Sequence, residues 1–329
     1  MGGAAAADPR ERVKRSAWGM RAALAVGARV AEAALVLLFL ASLVFFAMRI
    51  LPGDPAALVL GDDASPLELG RIRAKLHLDE PMWLQYARFL RGLATLDLGE
   101  SLRRPGVGAT TRVLVALGPT SALAGLAVAM GAMGGVGAAL LASGPWLGAR
   151  RRWVERALVA IAAAPLLAFA PVLTYALAAR LRVVPLPSDP DAGFAGLLFA
   201  SALLAVPLAA SVGRVACAAL ADVARAPFLA VARAKGASAA RTWALHALPA
   251  AAGPIVTVVA TQLGALLGGA VVLERLFERA GLGTLILEAY ASRDLPVLEG
   301  AVVAAGALFV LTQGIAAAAH AAIDPRVRA

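Results

Sequence analysis

Apolar residues in this chain gather in long blocks, separated by stretches that are polar, basic or rich in proline and glycine. Six blocks stand out: Val30 to Met48, Thr111 to Leu141, Ala157 to Ala179, Phe194 to Ala216, Pro254 to Leu273 and Gly300 to Ile323. A helix needs about 20 residues to cross the ~30 Å hydrocarbon layer of a bilayer, and each block supplies roughly that many. Backbone in lipid must satisfy its own hydrogen bonds, which predicts a helix for every block. Pro165, Pro171, Pro207 and the glycine-rich run Gly131 to Gly137 fall inside blocks. They would break a soluble helix, but neighbouring helices in a bundle absorb such irregularity. The pattern predicts an all-α, polytopic membrane helical bundle with six transmembrane helices.

Composition agrees with the pattern. The 329 residues are 60% hydrophobic and 16% charged, with a mean hydropathy of +0.78; soluble domains carry about 25% charge. The single cysteine, Cys217, cannot form an internal disulfide, and His77, His246 and His320 lack metal-ligand spacing. Neither a disulfide-stapled fold nor a zinc site is supported. The basic N-terminal stretch precedes a block longer than a signal core, without a small-residue cleavage pattern, so it reads as an uncleaved anchor.

Basic residues set the orientation. With a cytoplasmic N-terminus, inner segments hold seventeen Arg and Lys and outer segments twelve, seven of those in one long loop where the rule has little force. Both termini are therefore expected inside. The net charge of +10 then marks the cytoplasmic face, where anionic lipid is met. Dispersal of these residues over several loops argues against nucleic-acid binding.

The outer loop, Leu51 to Gly108, opens with a turn at "LPGDPA". Ser65, Pro66 and Glu68 read as an N-cap, a first-position proline and a capping-box acid, predicting a helix through about Leu76. A second helix is predicted from near Asp79, with Trp83, Tyr86, Phe89 and Leu90 spaced for one apolar face. Two readings stand: a small cap packed on the bundle, or a docking surface for an extracellular partner.

The blocks contain almost no charge, with Glu32 and Arg49 near the ends of the first and Arg112 at the edge of the second. A carrier driven by protons or sodium keeps ionisable groups near mid-membrane. No Walker A loop is present either, since Lys14, Lys75 and Lys235 all lack its context. Active transport would have to draw its energy from another subunit.

One inner connection is organised for such a partner. Pro227 can start a helix running "FLAVARAK" that stops at Gly236, and Ser238 can cap a second, "AARTWALHAL", ending before Pro249. Phe228, Leu229, Val231 and Ala232 offer apolar contacts, and Arg233 and Lys235 add charge. Either a soluble motor grips this unit, or it is an interfacial helix pair held by anionic lipid.

The stretch "ARAKGASAARTWALHALP" resembles the EAA-loop signature of binding-protein-dependent ABC transporter permeases, in the dipeptide, oligopeptide and nickel branch. "RILPGDPA", "LHLDEPMWLQYARFL", "LDLGESL", "GGAVVLERLFERAGLGTLILEAYASRDLPVLEGAVV" and the closing "DPRVR" resemble the first of the two permeases in such systems, in the same order and spacing. The glutamate that names the loop would fall at Ala230, which excludes a salt bridge through that position.

The resemblance implies a MetI-like type I ABC importer permease fold in the bacterial inner membrane. It implies a cytoplasmic tail over 1–29 and a permease domain over 30–329, with an extracytoplasmic loop at 51–108 and a coupling loop at 217–250. The implied partners are a second permease, two cytoplasmic ATPases that bind ATP and magnesium, and an extracytoplasmic binding protein. The chain itself would hold no cofactor and catalyse no reaction. Ala232, Arg233, Ala234, Lys235 and Gly236 are the expected ATPase-coupling residues. The fifth helix lines the path in this family, so Thr261 and Gln262 are candidate path-facing groups, although Gln262 could equally bond a neighbouring helix. Peptide is the leading cargo; nickel complexes, glutathione and oligosaccharides are the alternatives.

Two glycine pairs, Gly131 with Gly135 and Gly264 with Gly268, have the spacing for close helix approach. Rival readings are a membrane scaffold and an intramembrane protease. A protease would need Ser121, Ser201 or Ser211 beside a base, but His246 falls in an inner loop and His320 near a span end.

Overall fold

The structure, a computed structural model, describes residues 9–50, 65–75 and 77–323. It divides into two compact units, Met1–Pro52 and Gly53–Ala329. The "LPGDPA" turn and the closing "DPRVR" lie outside the described residues.

The described part of the first unit is one helix, α1 (Pro9–Ile50), which begins well before the apolar block; its membrane-length part is Gly27–Ile50. Arg49 folds back on its own helix. Its guanidinium lies 3.3 Å from the centre of the Phe45 ring and donates to the Phe45 carbonyl at 3.0 Å. Stacking and the carbonyl together offset the cost of a cation at a span end.

The second unit begins with two short helices, α2 (Pro66–Lys75) and α3 (Met82–Thr95). The capping box forms as read. The Ser65 hydroxyl and backbone N–H donate to the Glu68 carboxylate at 2.7 and 3.0 Å, and the Glu68 N–H donates back at 3.3 Å. These bonds hold the Glu68 carboxyl below its ordinary value. A carboxyl depressed by folding lends stability above its unfolded pKa, about 4.3, and loses it as pH falls through the folded value. Fraying of α2 is expected to increase below about pH 4, and Glu68→Gln to flatten that dependence, as read by hydrogen exchange at the α2 amides. On α3 the apolar face is only partly used: Phe89 is buried, but Trp83 is 70% exposed.

Among the described residues five helices are of membrane length: the Gly27–Ile50 part of α1, then α4 (Ala109–Ser143), α7 (Gly193–Val223), α10 (Ala252–Leu276) and the Leu295–Ala319 part of α12 (Leu295–Ile323). The third block departs from expectation. It is two helices, α5 (Arg151–Ala163) and α6 (Leu166–Thr174), bent by 106°. Pro165 supplies no N–H and forces Ala164 into an extended conformation (φ −79°, ψ 125°), so the ladder cannot continue. Shorter helices among the described residues include α8 (Pro227–Ala234), the single turn α9 (Ala239–Thr242) and α11 (Leu282–Ala291). Among the described residues no strand forms, only an isolated bridge between Glu100 and Gly108.

The core is the α4–α7 pair, with α5 and α10 packed on α7 and α12 on α10. Small residues allow this closeness. A Cβ at Gly131 would sit 2.7 Å from Leu208, and one at Gly135 would sit 2.5 Å from the Ala209 carbonyl. The second pair behaves differently: Gly264 meets Phe309, whereas Gly268 faces open space and its neighbour Gly269 meets Leu204.

Candidate functional site

The connection between α7 and α10 is built as its punctuation predicts. Ala226 is extended (ψ 135°), and Pro227 opens α8 at a position where the missing N–H costs nothing. At the other end Gly236 takes φ +83°, the left-handed region where a Cβ is penalised. Its N–H donates to the Arg233 carbonyl at 2.9 Å, and the Ala237 N–H donates to the Ala232 carbonyl at 3.1 Å. These are the two bonds of a Schellman cap. Ser238 then caps α9, its hydroxyl accepting from the Arg241 N–H at 3.3 Å. A π-turn at Trp243–Ala247 continues toward Leu248–Ala250.

One side of this unit is anchored and the other is free. Leu229 (2% exposed) belongs to the main core, as does Ala247, and Thr242 is also buried. Burying a leucine contributes about 1.5–3 kcal/mol, enough to fix the short helix on the bundle. Outward face Phe228 (46% exposed), Val231 (53%), Arg233, Ala234 and Lys235, with Ala232 half-buried and Ala230 exposed. Arg233 is oriented by its Nε bond to the Leu229 carbonyl at 3.2 Å. The five residues singled out by sequence thus lie together at the C-terminal end of one short helix.

Thr261 and Gln262 lie elsewhere, on α10. The exposed Thr261 hydroxyl is spent on its own helix, donating to Val258 at 3.0 Å. Gln262 lines a cavity of about 190 Å³ together with Ala164, Leu166, Leu204 and Pro207, beside the α5–α6 break. Ser201 is buried and donates to the Leu123 carbonyl at 3.3 Å, a helix-pairing bond. His246 is exposed in the α8–α10 connection, and the His320 side chain lies outside the described residues.

Among the described residues three carboxylates are buried, Glu274, Asp294 and Glu299, and all three escaped the sequence reading. The fifth block stops at Leu273, but α10 runs three residues further and carries Glu274, 1% exposed. Glu274 accepts from the Thr120 hydroxyl at 2.6 Å and the Gly283 N–H at 2.7 Å; the Thr120 oxygen accepts in turn from the Leu282 N–H at 2.8 Å. α4, α10 and the start of α11 are tied together there. Asp294, fully buried before α12, accepts from the Ser101 hydroxyl, from the Leu102 N–H at 3.1 Å and from Arg112 Nη1 at 3.2 Å. It fastens the "GESL" loop and α4 to the α11–α12 turn. A signal for the first was available: the glycine pair of "AGLG" follows an acid, and backbone that close to a carboxylate leaves no room for Cβ atoms.

Residues 120–329 match the family of binding-protein-dependent transport system inner membrane components, and residues 25–106 match the N-terminal family of the same membrane components. The chain belongs to this family. A peptide transport system permease protein of Brucella abortus is 32% identical over 316 residues, covering 91% of this chain and 97% of that protein. The glutathione transport system permease protein of Escherichia coli is 32% identical over 301 residues, covering 88% and 94%. Among solved structures, the methionine ABC transporter MetNI in an inward-facing form aligns with 64% of this chain and 94% of its own, at a TM-score of 0.49 and 18% identity. As a binding-protein-dependent permease the chain is a transport subunit of the inner membrane, and its membrane-length helices are those of a multi-pass protein.

Proposed function

We propose that this permease forms, with a sister permease, the path of an ATP-driven importer whose cargo is peptide handed over by an extracytoplasmic binding protein. Relatives named for peptide and for glutathione transport support that cargo, glutathione being itself a tripeptide. ATP and magnesium are held by two cytoplasmic ATPase subunits, and this chain contributes the lever. The reading takes 1–29 as a cytoplasmic tail, 51–108 as the outer loop and 217–250 as the coupling segment, whose first residues still belong to α7.

The observation that carries the reading is the two-sided build of α8. Leu229 ties it to the core, while Phe228, Val231, Arg233 and Lys235 stand outward. A push on that outer face is transmitted through Leu229 to the core as a rigid-body displacement, one of the ways bundles switch between states. Gly236 fixes the angle at which α8 is presented, and Arg233 and Lys235 meet the ATPase surface.

Gly236→Val tests it. A Cβ there would meet nothing within 4 Å, so the variant is not overpacked; its fault is φ +83° alone. Left-handed backbone costs an L-residue about 1–2 kcal/mol, and more with β-branching. The assembled complex in proteoliposomes is expected to hydrolyse ATP yet lose about tenfold in uptake of a labelled peptide, while Gly236→Asn, which tolerates this backbone, keeps most of it. Normal uptake by the valine variant would overturn the assignment.

A further inference from the structure

The stretch "WLGARRRWVER", which runs from the α4–α5 connection into α5, is absorbed neither by the coupling loop nor by the buried carboxylates. α5 buries Leu158, which packs where a Cβ on Gly213 would be, and turns the opposite side outward. On that outer side Arg152, Glu155, Arg156, Val159 and Ala160 line an open groove of about 460 Å³. Positions 152, 156, 159 and 160 follow helical spacing, so they form one stripe. The stripe changes character over about 10 Å of helix: two guanidinium groups at its start, bare apolar surface one turn on.

The charges are arranged for an outside anion. Glu155 is engaged by Arg151 at 3.5 Å, while Arg152 and Arg156 have no acidic partner among the described residues. The Arg156 guanidinium sits 5.5 Å from the centre of the Trp153 ring, and Trp153 is 69% exposed. Trp146, 46% exposed, lies in the α4–α5 connection just before it. Exposed tryptophans at the start of a membrane-entering helix mark headgroup depth. α5 is the first half of the bent pair, so the groove lies where the chain enters the bilayer, on the side that the basic residues assign to the cytoplasm.

We propose that this groove is a binding site for an anionic phospholipid of the inner leaflet, with the phosphate between Arg152 and Arg156 and the upper acyl chain along Val159 and Ala160. Planar guanidinium groups suit phosphate oxygens, and a basic-to-apolar stripe matches the headgroup-to-chain polarity of a lipid. Soluble phosphate would use the arginines but not the apolar half. A protein partner would have no need for the change in polarity with depth.

The test uses the full chain in nanodiscs of phosphatidylcholine doped with photo-crosslinkable phosphatidylglycerol, the diazirine placed high on the acyl chain. Labelling is expected to map to the peptide holding Val159 and Ala160, and Arg152→Ala with Arg156→Ala is expected to lower it about fivefold. Arg152→Lys with Arg156→Lys should keep most of it, and so should Arg150→Ala with Arg225→Ala, which removes equal charge off the stripe and leaves the Arg151–Glu155 pair in place. Equal labelling by photo-crosslinkable phosphatidylcholine would overturn the proposal. So would equal loss in both alanine pairs, displacement by millimolar inorganic phosphate, or complete exclusion of lipid from the stripe by ATPase or sister subunit in the assembled complex.

Discussion

Asp294→Ala is expected to destabilise the second unit by about 3–5 kcal/mol, the range for removing one partner of a buried, hydrogen-bonded ion pair. The carboxylate is fully buried, and Arg112 is only 14% exposed. Its removal takes an acceptor from three donors at once: the Ser101 hydroxyl, the Leu102 N–H and the Arg112 guanidinium, which keeps a bond to the Ser101 oxygen at 3.2 Å. Arg112 has one other acid nearby, Glu288 at 3.9 Å, which is 60% exposed and cannot replace the lost contact. Glu288→Ala should therefore change stability by less than about 1 kcal/mol, as surface pairs do. For a chain of this size the Asp294 loss corresponds to a melting midpoint lower by roughly 6–15 °C in detergent. Asp294→Asn, which retains an acceptor but not the charge, should fall between. A midpoint for Asp294→Ala within 2 °C of wild type, on the order of 1 kcal/mol, would mean that the cluster holds the loop in place without stabilising the bundle.

What the sequence made legible divides by range of interaction. The spans were readable because length and apolarity are local quantities, and the turn at Gly236 was readable because Pro227, Gly236 and Ser238 each act on their own stretch of backbone. Pro165 announced an interruption, but its 106° bend depends on what α5 and α6 pack against. Glu274 was lost at a boundary. Hydropathy ends a span at the first charge, whereas a helix ends where its hydrogen-bond ladder does, and the Thr120 hydroxyl that makes the charge tolerable lies 154 positions earlier. Spacing alone cannot tell Gly264, which meets Phe309, from Gly268, which meets nothing.

Around Glu274 the expected result is a coupling with a definite pattern. Gly281→Ala and Gly283→Ala should each destabilise by about 1–3 kcal/mol, as overpacking does. Their obstacles differ, however. The three atoms nearest a Cβ on Gly281 all belong to the Glu274 carboxylate, whereas a Cβ on Gly283 would sit 2.5 Å from the Val271 Cα. Glu274→Ala is costly by itself, because it leaves the Gly283 N–H without its acceptor and the Thr120 hydroxyl with only the Ala116 carbonyl at 3.4 Å. In that background Gly281→Ala has lost its obstacle and should cost less than about 0.5 kcal/mol more, while Gly283→Ala still meets backbone and should cost its full amount. Chemical denaturation of the three single and two double variants in detergent reads both couplings. Equal additivity at the two glycines would mean that the carboxylate does not dictate the glycine at 281, and that the turn into α11 is set by backbone packing alone.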